Sequence, residues 1–353
     1  MPRVSMSLKR LLLLTGVVWI EGISILHGYL NLGIRPFRSA APDAEQREPF
    51  RIGFLPVTCH LTCPVTHFIN KNLAGEADFT PIRFHGWTEL KESFLSGHTE
   101  ATFILAPMAM MLREQGTPIK IVYLGHRDGT AVMVHKDSDI RRTADLKGKT
   151  IAVPNRYSNQ RLLVHRSLKD VGLSLDDVNI VEMPPPDMPA ALATKSVDAI
   201  SSGEPFMGQT ELDGYGRVLW LTKDVWPNFI SCVLAVHEDV IENRRDEVQR
   251  LVNGIAKSGK WIDQSMDHRM QTSQFVAKNY YHQHPRLLEF VLSKPPDRVT
   301  YSNLNLVRPQ FEEIEQLARE IGILKGTAHF EDYTDASFVT PENMPPYVWE
   351  YQP

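Results

Sequence analysis

The sequence predicts a two-lobed α/β protein with parallel-rich sheets, a hinged cleft and a helical C-terminal part. Short apolar runs alternate with amphipathic segments from residue 50 onward, the pattern of parallel strands joined by right-handed crossovers. The alternation restarts near residue 130, which makes two sheets, and after Val236 the pattern turns almost wholly helical. Composition sets the scale. A chain of 353 residues with 42% apolar side chains can bury a large core and suits about two domains. The 38 basic and 42 acidic side chains give −4, so no basic surface argues for nucleic acid. The same figures exclude disordered and collagen-like chains, and three cysteines exclude a disulfide-built scaffold.

Taken in order, Arg3, Lys9 and Arg10 precede an apolar run from Leu11 to Ile20, the shape of a secretory signal. Glu21 and His27 interrupt a longer span to Ile34, and a carboxylate in a bilayer costs roughly 2.5–3.5 kcal/mol. Residues 1–41 are therefore expected to be a signal peptide or membrane anchor, with a linker to 49. Phe50 to Leu55 alternates as a first strand, and Thr80 to Phe84, Ala101 to Leu105 and Ile119 to Gly125 follow it. Trp87 to Leu95 and Met108 to Gln115 have helical spacing between them. The second series runs Ala131 to His135, Thr150 to Pro154, Asn179 to Met183 and Val197 to Ile200, with helices at Asn159 to Val171 and Asp187 to Thr194. After Val233 to Val236 come helices at Glu247 to Gln264, Met270 to Tyr281, His284 to Leu292 and Phe311 to Ile321. With crossings expected near 127–130 and 237–241, the first lobe is 50–128 plus 239–353, and the second is 129–238.

These residues carry a resemblance. The run Pro184-Pro-Pro-Asp-Met188, with Val197-Asp-Ala199 and Gly203-Glu-Pro-Phe206, resembles a block of the nitrate- and bicarbonate-binding proteins of ABC importers. Asp145 to Pro154 is similar to a strand of the wider nitrate/sulfonate/taurine-binding (NMT1/THI5-like) group, and Ile52 to Thr58 resembles its opening strand. The resemblance covers roughly residues 50 to 260. It implies a type II periplasmic binding protein that binds a small polar or anionic solute between its lobes. Such a receptor does no chemistry and delivers its solute to permease and ATPase subunits. Loops after parallel strands gather at one sheet edge, where free backbone N–H groups favour anions.

Two departures bear on the ligand. Nitrate-binding members supply a lysine after the strand that here begins near Trp226, yet no Lys or Arg occurs from Val225 through Asn243. Their histidine in the loop after Pro154 is also replaced, by Asn155-Arg-Tyr-Ser-Asn-Gln-Arg161.

A third departure is Thr58-Cys59-His60-Leu61-Thr62-Cys63, in the first strand–helix loop. Cys59, His60 and Cys63 are close enough in sequence to share a soft metal such as zinc or copper(I). A Cys59–Cys63 disulfide in an oxidising compartment and a plain wall of buried thiols are the alternatives. Cys232 either approaches the cleft on closure or is simply buried in its strand. No cofactor beyond that metal is expected. The ligand-binding set expected is Thr58, Cys59, His60, Trp87, Pro107, Arg156, Tyr157, Gln160, Glu204 and Asn228. Trp87 sits where nitrate binders carry a pocket tryptophan, and Arg156 or Arg161 is the cation placed to replace the lost charge. Two rival functions stay open: a metal- or cofactor-binding enzyme of the thiamine-pyrimidine synthase type, and a membrane-tethered sensor lobe. The location expected is periplasmic or extracytoplasmic, with anchoring by the N-terminal segment left open.

Overall fold

The computed structural model describes residue 19, residues 49–72 and residues 78–351. The leader and linker expected ahead of Phe50 fall almost wholly outside the described residues. No described helix is long and apolar enough to cross a membrane.

Among the described residues the strands are β1 Arg51–Phe54, β2 Thr80–Arg83, β3 Ala101–Leu105, β4 Ile119–Leu124, β5 Arg127–Asp128, β6 Thr130–His135, β7 Thr150–Val153, β8 Asn179–Glu182, β9 Ala199–Gly203, β10 Gly216–Leu221, β11 Cys232–His237 and β12 Val299–Thr300. They form two five-stranded sheets. The first has the order β2-β1-β3-β11-β4 and the second β10-β6-β9-β7-β8, while β5 and β12 pair as a small ribbon. Alternation of strand and helix fixes the parallel neighbours: β1 lies parallel to β2 and β3, and β7 to β8 and β9. One strand in each sheet runs against this direction. β6 is antiparallel to β9 and β10, and β11 is antiparallel to β3 and β4. β3 is buried along its whole length, as a strand covered on both faces must be.

The second crossing differs from expectation. β11 lies in the first sheet, with Cys232 opposite Leu105 and Val236 opposite Ala101. The chain therefore returns between β10 and β11, before the strand and not near 237–241. The wholly apolar run Cys232 to Val236 fills a slot buried on both faces, and nothing in its own pattern says to which sheet it belongs.

The helical C-terminal part closes the first lobe. Helix Arg245–Gln264 places Ser258 against Thr66 of helix Thr62–Asn72, the two hydroxyls 2.8 Å apart. Helix Met266–Val276 starts a turn earlier than expected and ends in a widened π turn at Ala277–Tyr281. That turn delivers Tyr280 and Tyr281 inward, where the Tyr281 hydroxyl donates to the Val57 carbonyl at 2.7 Å. The final segment is tied down as well, because the Trp261 indole N–H donates to the Trp349 carbonyl at 3.0 Å.

Candidate functional site

β1 ends at Phe54 and the chain turns through a single 3₁₀ turn, Thr58–His60, before helix Thr62–Asn72. This loop is buried and held by its own backbone. The Leu55 N–H donates to His60 Nδ1 at 2.7 Å, and the Tyr301 hydroxyl donates to the Thr58 carbonyl at 3.1 Å. The Thr58 hydroxyl lies 3.4 Å from His126 Nε2. Gly125 is required behind it, since a Cβ there would overlap the Cys59 carbonyl oxygen. Across the interlobe boundary, the Thr58 N–H donates to the Glu204 carbonyl at 2.7 Å. The His60 ring stands edge-on to Trp87, centroids 5.5 Å apart, with Phe103 on another side at 5.4 Å.

The cysteines correct the sequence reading. All three are free, so of the alternatives left open the Cys59–Cys63 disulfide is not formed. Cys59 Sγ lies 2.8 Å from Cys232 Sγ instead, and the donor group is Cys59, His60 and Cys232, all buried. Cys63 drops out because the 3₁₀ turn gives way to α-helix between the two residues, so the four-residue spacing does not keep them on one face. Burial alone pushes the Cys63 thiol up. Burial opposes ionisation of Cys59 too, yet the hydrogen bond from the Cys232 thiol, with His60 and His126 beside it, holds Cys59 well below its ordinary value. Burial and the bond to Cys59 drive Cys232 the other way.

The second lobe supplies the opposite wall. Ser158 caps helix Asn159–Lys169 by accepting from the Arg161 N–H. The Asn159 amide donates across the boundary to the Ser231 carbonyl at 3.0 Å and also to that of Ile230, and the Gln160 amide donates to the Thr130 hydroxyl at 3.1 Å. Glu204 is fully buried. Its Oε2 accepts from the Gly208 N–H at 2.7 Å, and its Oε1 lies 3.2 Å from Arg298 Nε. Burial raises the Glu204 carboxyl, with Arg298 pulling against it.

Not every expected residue gathers there. Arg156 is exposed and ion-paired with Glu182 at 3.0 Å, so it does not replace the lost cation. Asn228 is exposed in a left-handed conformation and gives only its backbone carbonyl, to Arg127 at 3.2 Å. Pro107 opens helix Ala106–Glu114 and lends no hydrogen-bonding group. Tyr157 is half-buried in the loop after β7. Thr58, Cys59, His60, Trp87, Gln160 and Glu204 all lie in or just beyond the loops that follow β1, β2, β7 and β9, the strand ends where an open α/β sheet places its ligands. His126, just past β4, was missed although that position alone marks it, whereas Tyr281 and Tyr301 carry no sequence signal.

On these loops several buried polar atoms have no partner: His60 Nε2, Trp87 Nε1, His126 Nδ1, Asn159 Oδ1, Gln160 Oε1 and Arg161 Nε. Because His60 Nδ1 accepts the Leu55 N–H, the neutral ring carries its hydrogen on Nε2. The first lobe thus presents two N–H donors, from His60 and Trp87, and the second lobe two amide oxygens.

The NMT1-like family matches residues 43–277. The chain belongs to that family. A putative ABC transporter periplasmic binding protein of Brachyspira hyodysenteriae is 26% identical over 257 residues, 68% of this chain and 70% of that protein. The nitrate/nitrite binding protein NrtA of Nostoc is 24% identical over 249 residues, 64% of this chain but only 56% of its own length. A putative aliphatic sulfonates-binding protein of Escherichia coli is 25% identical over 53% of this chain and 59% of that one. Homologues of this chain are thus periplasmic substrate-binding components of importers. Among solved structures, the ligand-binding component of an ABC-type import system from Staphylococcus aureus, with zinc bound, superposes with a TM-score of 0.74 at 24% identity, over 83% of this chain and 98% of that one. The desulfurization enzyme DszB superposes with a TM-score of 0.59 at 17% identity, over 83% and 97%. This chain shares its fold with both solved structures, one of which is an enzyme.

Proposed function

We propose that this protein is the extracytoplasmic solute-binding component of an ABC importer, taking a small polar or anionic solute between its lobes and passing it to permease and ATPase subunits. The observation that carries the reading is the split of unpartnered buried groups. Unpaired buried groups cost about 1–3 kcal/mol each, so a molecule that satisfies them gains that much in affinity. Two N–H donors on one wall favour an oxyanion or carbonyl end, and two amide oxygens on the other favour N–H or O–H groups. Arg161 Nε, buried and unpartnered beside Gln160 on the second wall, adds a guanidinium N–H that favours an anionic group. Residence outside the cytoplasm, and tethering through the N-terminal segment, belong to the same proposal.

Calorimetric titration of the full chain with nitrate, bicarbonate, taurine and short alkanesulfonates tests it. One of these is expected to bind at one per chain, and Trp87→Phe, which keeps the ring but deletes the N–H, is expected to weaken it at least 5-fold. Silence across all four solutes, or undiminished binding by Trp87→Phe, would overturn the assignment of this wall.

A further inference from the structure

Cys59, in the turn after β1, and Cys232, the first residue of β11, lie 173 residues apart in sequence and meet sulfur to sulfur at 2.8 Å, unbonded, in the interior of the first lobe. The pair borders the proposed solute wall and shares the His60 N–H with that reading. Each of the two residues is at most 2% exposed. The surroundings are apolar and aromatic, with Phe103 and Trp87 against the adjoining His60 ring. A geometric sign points to a ligand there. The buried His60 Nε2 has no partner, and a donor nitrogen of His60 lies within 4.8 Å of both sulfurs.

We infer that Cys59 and Cys232 form a two-sulfur site for a soft monovalent metal ion of the copper(I) class. The donor count selects the ion. Zinc demands four ligands, or three and a water. Here the third candidate, His60, has its Nδ1 lone pair committed to the Leu55 N–H and carries hydrogen on Nε2, so it donates and does not ligate. Two thiolates without a third ligand suit a soft ion that accepts low coordination. The unpartnered imidazole N–H then faces thiolate charge as an outer-sphere donor. Binding is a proton exchange: two thiol S–H bonds break, two metal–sulfur bonds form, two protons leave to water, and no electron moves because the ion arrives already monovalent. Sulfurs about 2.3 Å from an ion between them must part to more than 4 Å, which rotation about the two Cα–Cβ bonds supplies. Access requires parting the bonds across the boundary, those of the Thr58 N–H to Glu204 and of the Asn159 amide to Ile230 and Ser231.

The test is anaerobic titration of the reduced full chain with copper(I) held by bicinchoninate. The wild-type protein and Cys63→Ser are expected to withdraw one copper(I) per chain. Cys59→Ser and Cys232→Ser are expected to lose at least 100-fold in affinity, with Cys59→Ala and Cys232→Ala run beside them in case a buried hydroxyl impairs folding. X-ray absorption on the wild-type complex needs no variant and is expected to show sulfur neighbours without nitrogen. Failure of the wild-type chain to compete, equal loss in Cys63→Ser, or an imidazole nitrogen bound to the metal overturns the two-sulfur site. Recovery of the exported protein with Cys59 and Cys232 joined as a disulfide overturns it as well. Solute titration of the same variants keeps the readings apart, because the two-sulfur site can fail while solute still binds.

Discussion

Replacing Arg298 by methionine leaves the Glu204 carboxylate alone in a dry interior. The side chains of the pair are 1% and 0% exposed, the closest approach is 3.2 Å, and Arg298 also holds Glu211 at 2.7 Å and the Lys294 carbonyl at 3.0 Å. Removing one member of a buried ion pair costs about 3–5 kcal/mol, because the remaining charge loses its partner but stays out of water. For the unit Pro49–Pro353, unfolding entropy of about 2.1 cal/mol/K per residue converts this to a fall of about 5–8 °C in Tm. Burial already pushes the Glu204 carboxyl up against the pull of Arg298, and the variant removes that pull. A carboxyl raised in the fold costs nothing while protonated in both states. It begins to cost as pH rises through its unfolded value and costs fully above its folded one. The deficit of Arg298→Met is thus expected to be largest near pH 8 and to shrink towards pH 4.5, and adding Glu204→Gln is expected to restore most of it at pH 8. Calorimetric melts at the two pH values check this. A Tm within 1 °C of wild type at pH 8, or an equal deficit at both pH values, would refute the reasoning.

Asp128 offers the complementary case. Burial lifts its carboxyl to about 6, so its ionisation costs stability above that pH, up to about 3 kcal/mol, and nothing below pH 4. Asp128→Asn, which tolerates the same left-handed backbone, should raise Tm at pH 8 and leave it unchanged at pH 4. Gly125→Ala forces a methyl onto the Cys59 carbonyl and should cost about 1–3 kcal/mol in urea unfolding while weakening every ligand of the Thr58–His60 turn. Arg156→Ala, by contrast, removes an exposed pair and should change stability by less than about 0.5 kcal/mol and solute affinity not at all.

Most of the fold was legible because alternation is local. Phe50 to Leu55 and Thr150 to Pro154 declare themselves by pattern, and so does the amphipathic helix that starts at Asn159. Sheet membership is not local, so the apolar run from Cys232 was read as a strand and assigned to the wrong lobe. The site divides in the same way. Thr58, His60, Trp87 and Gln160 follow strand ends and could be found from that fact. The partner of Cys59 could not, since spacing favours Cys63 while the fold brings Cys232 from the far side of the chain. Arg156 was drawn in by its loop, but Glu182 at the end of the adjacent β8 claims it at the surface.

The position of β11 also has a bearing on synthesis. The middle of the first sheet, between β3 and β4, is filled by residues made after the whole second sheet. The strands of the second sheet occupy one continuous stretch and can pair as soon as β10 leaves the ribosome. The first sheet stays split, with β3 and β4 each lacking an antiparallel neighbour, until Cys232–His237 emerges. The lobe that begins the chain is therefore the one that finishes last, and its unpaired strand edges are the ones a chaperone would have to shield in the meantime.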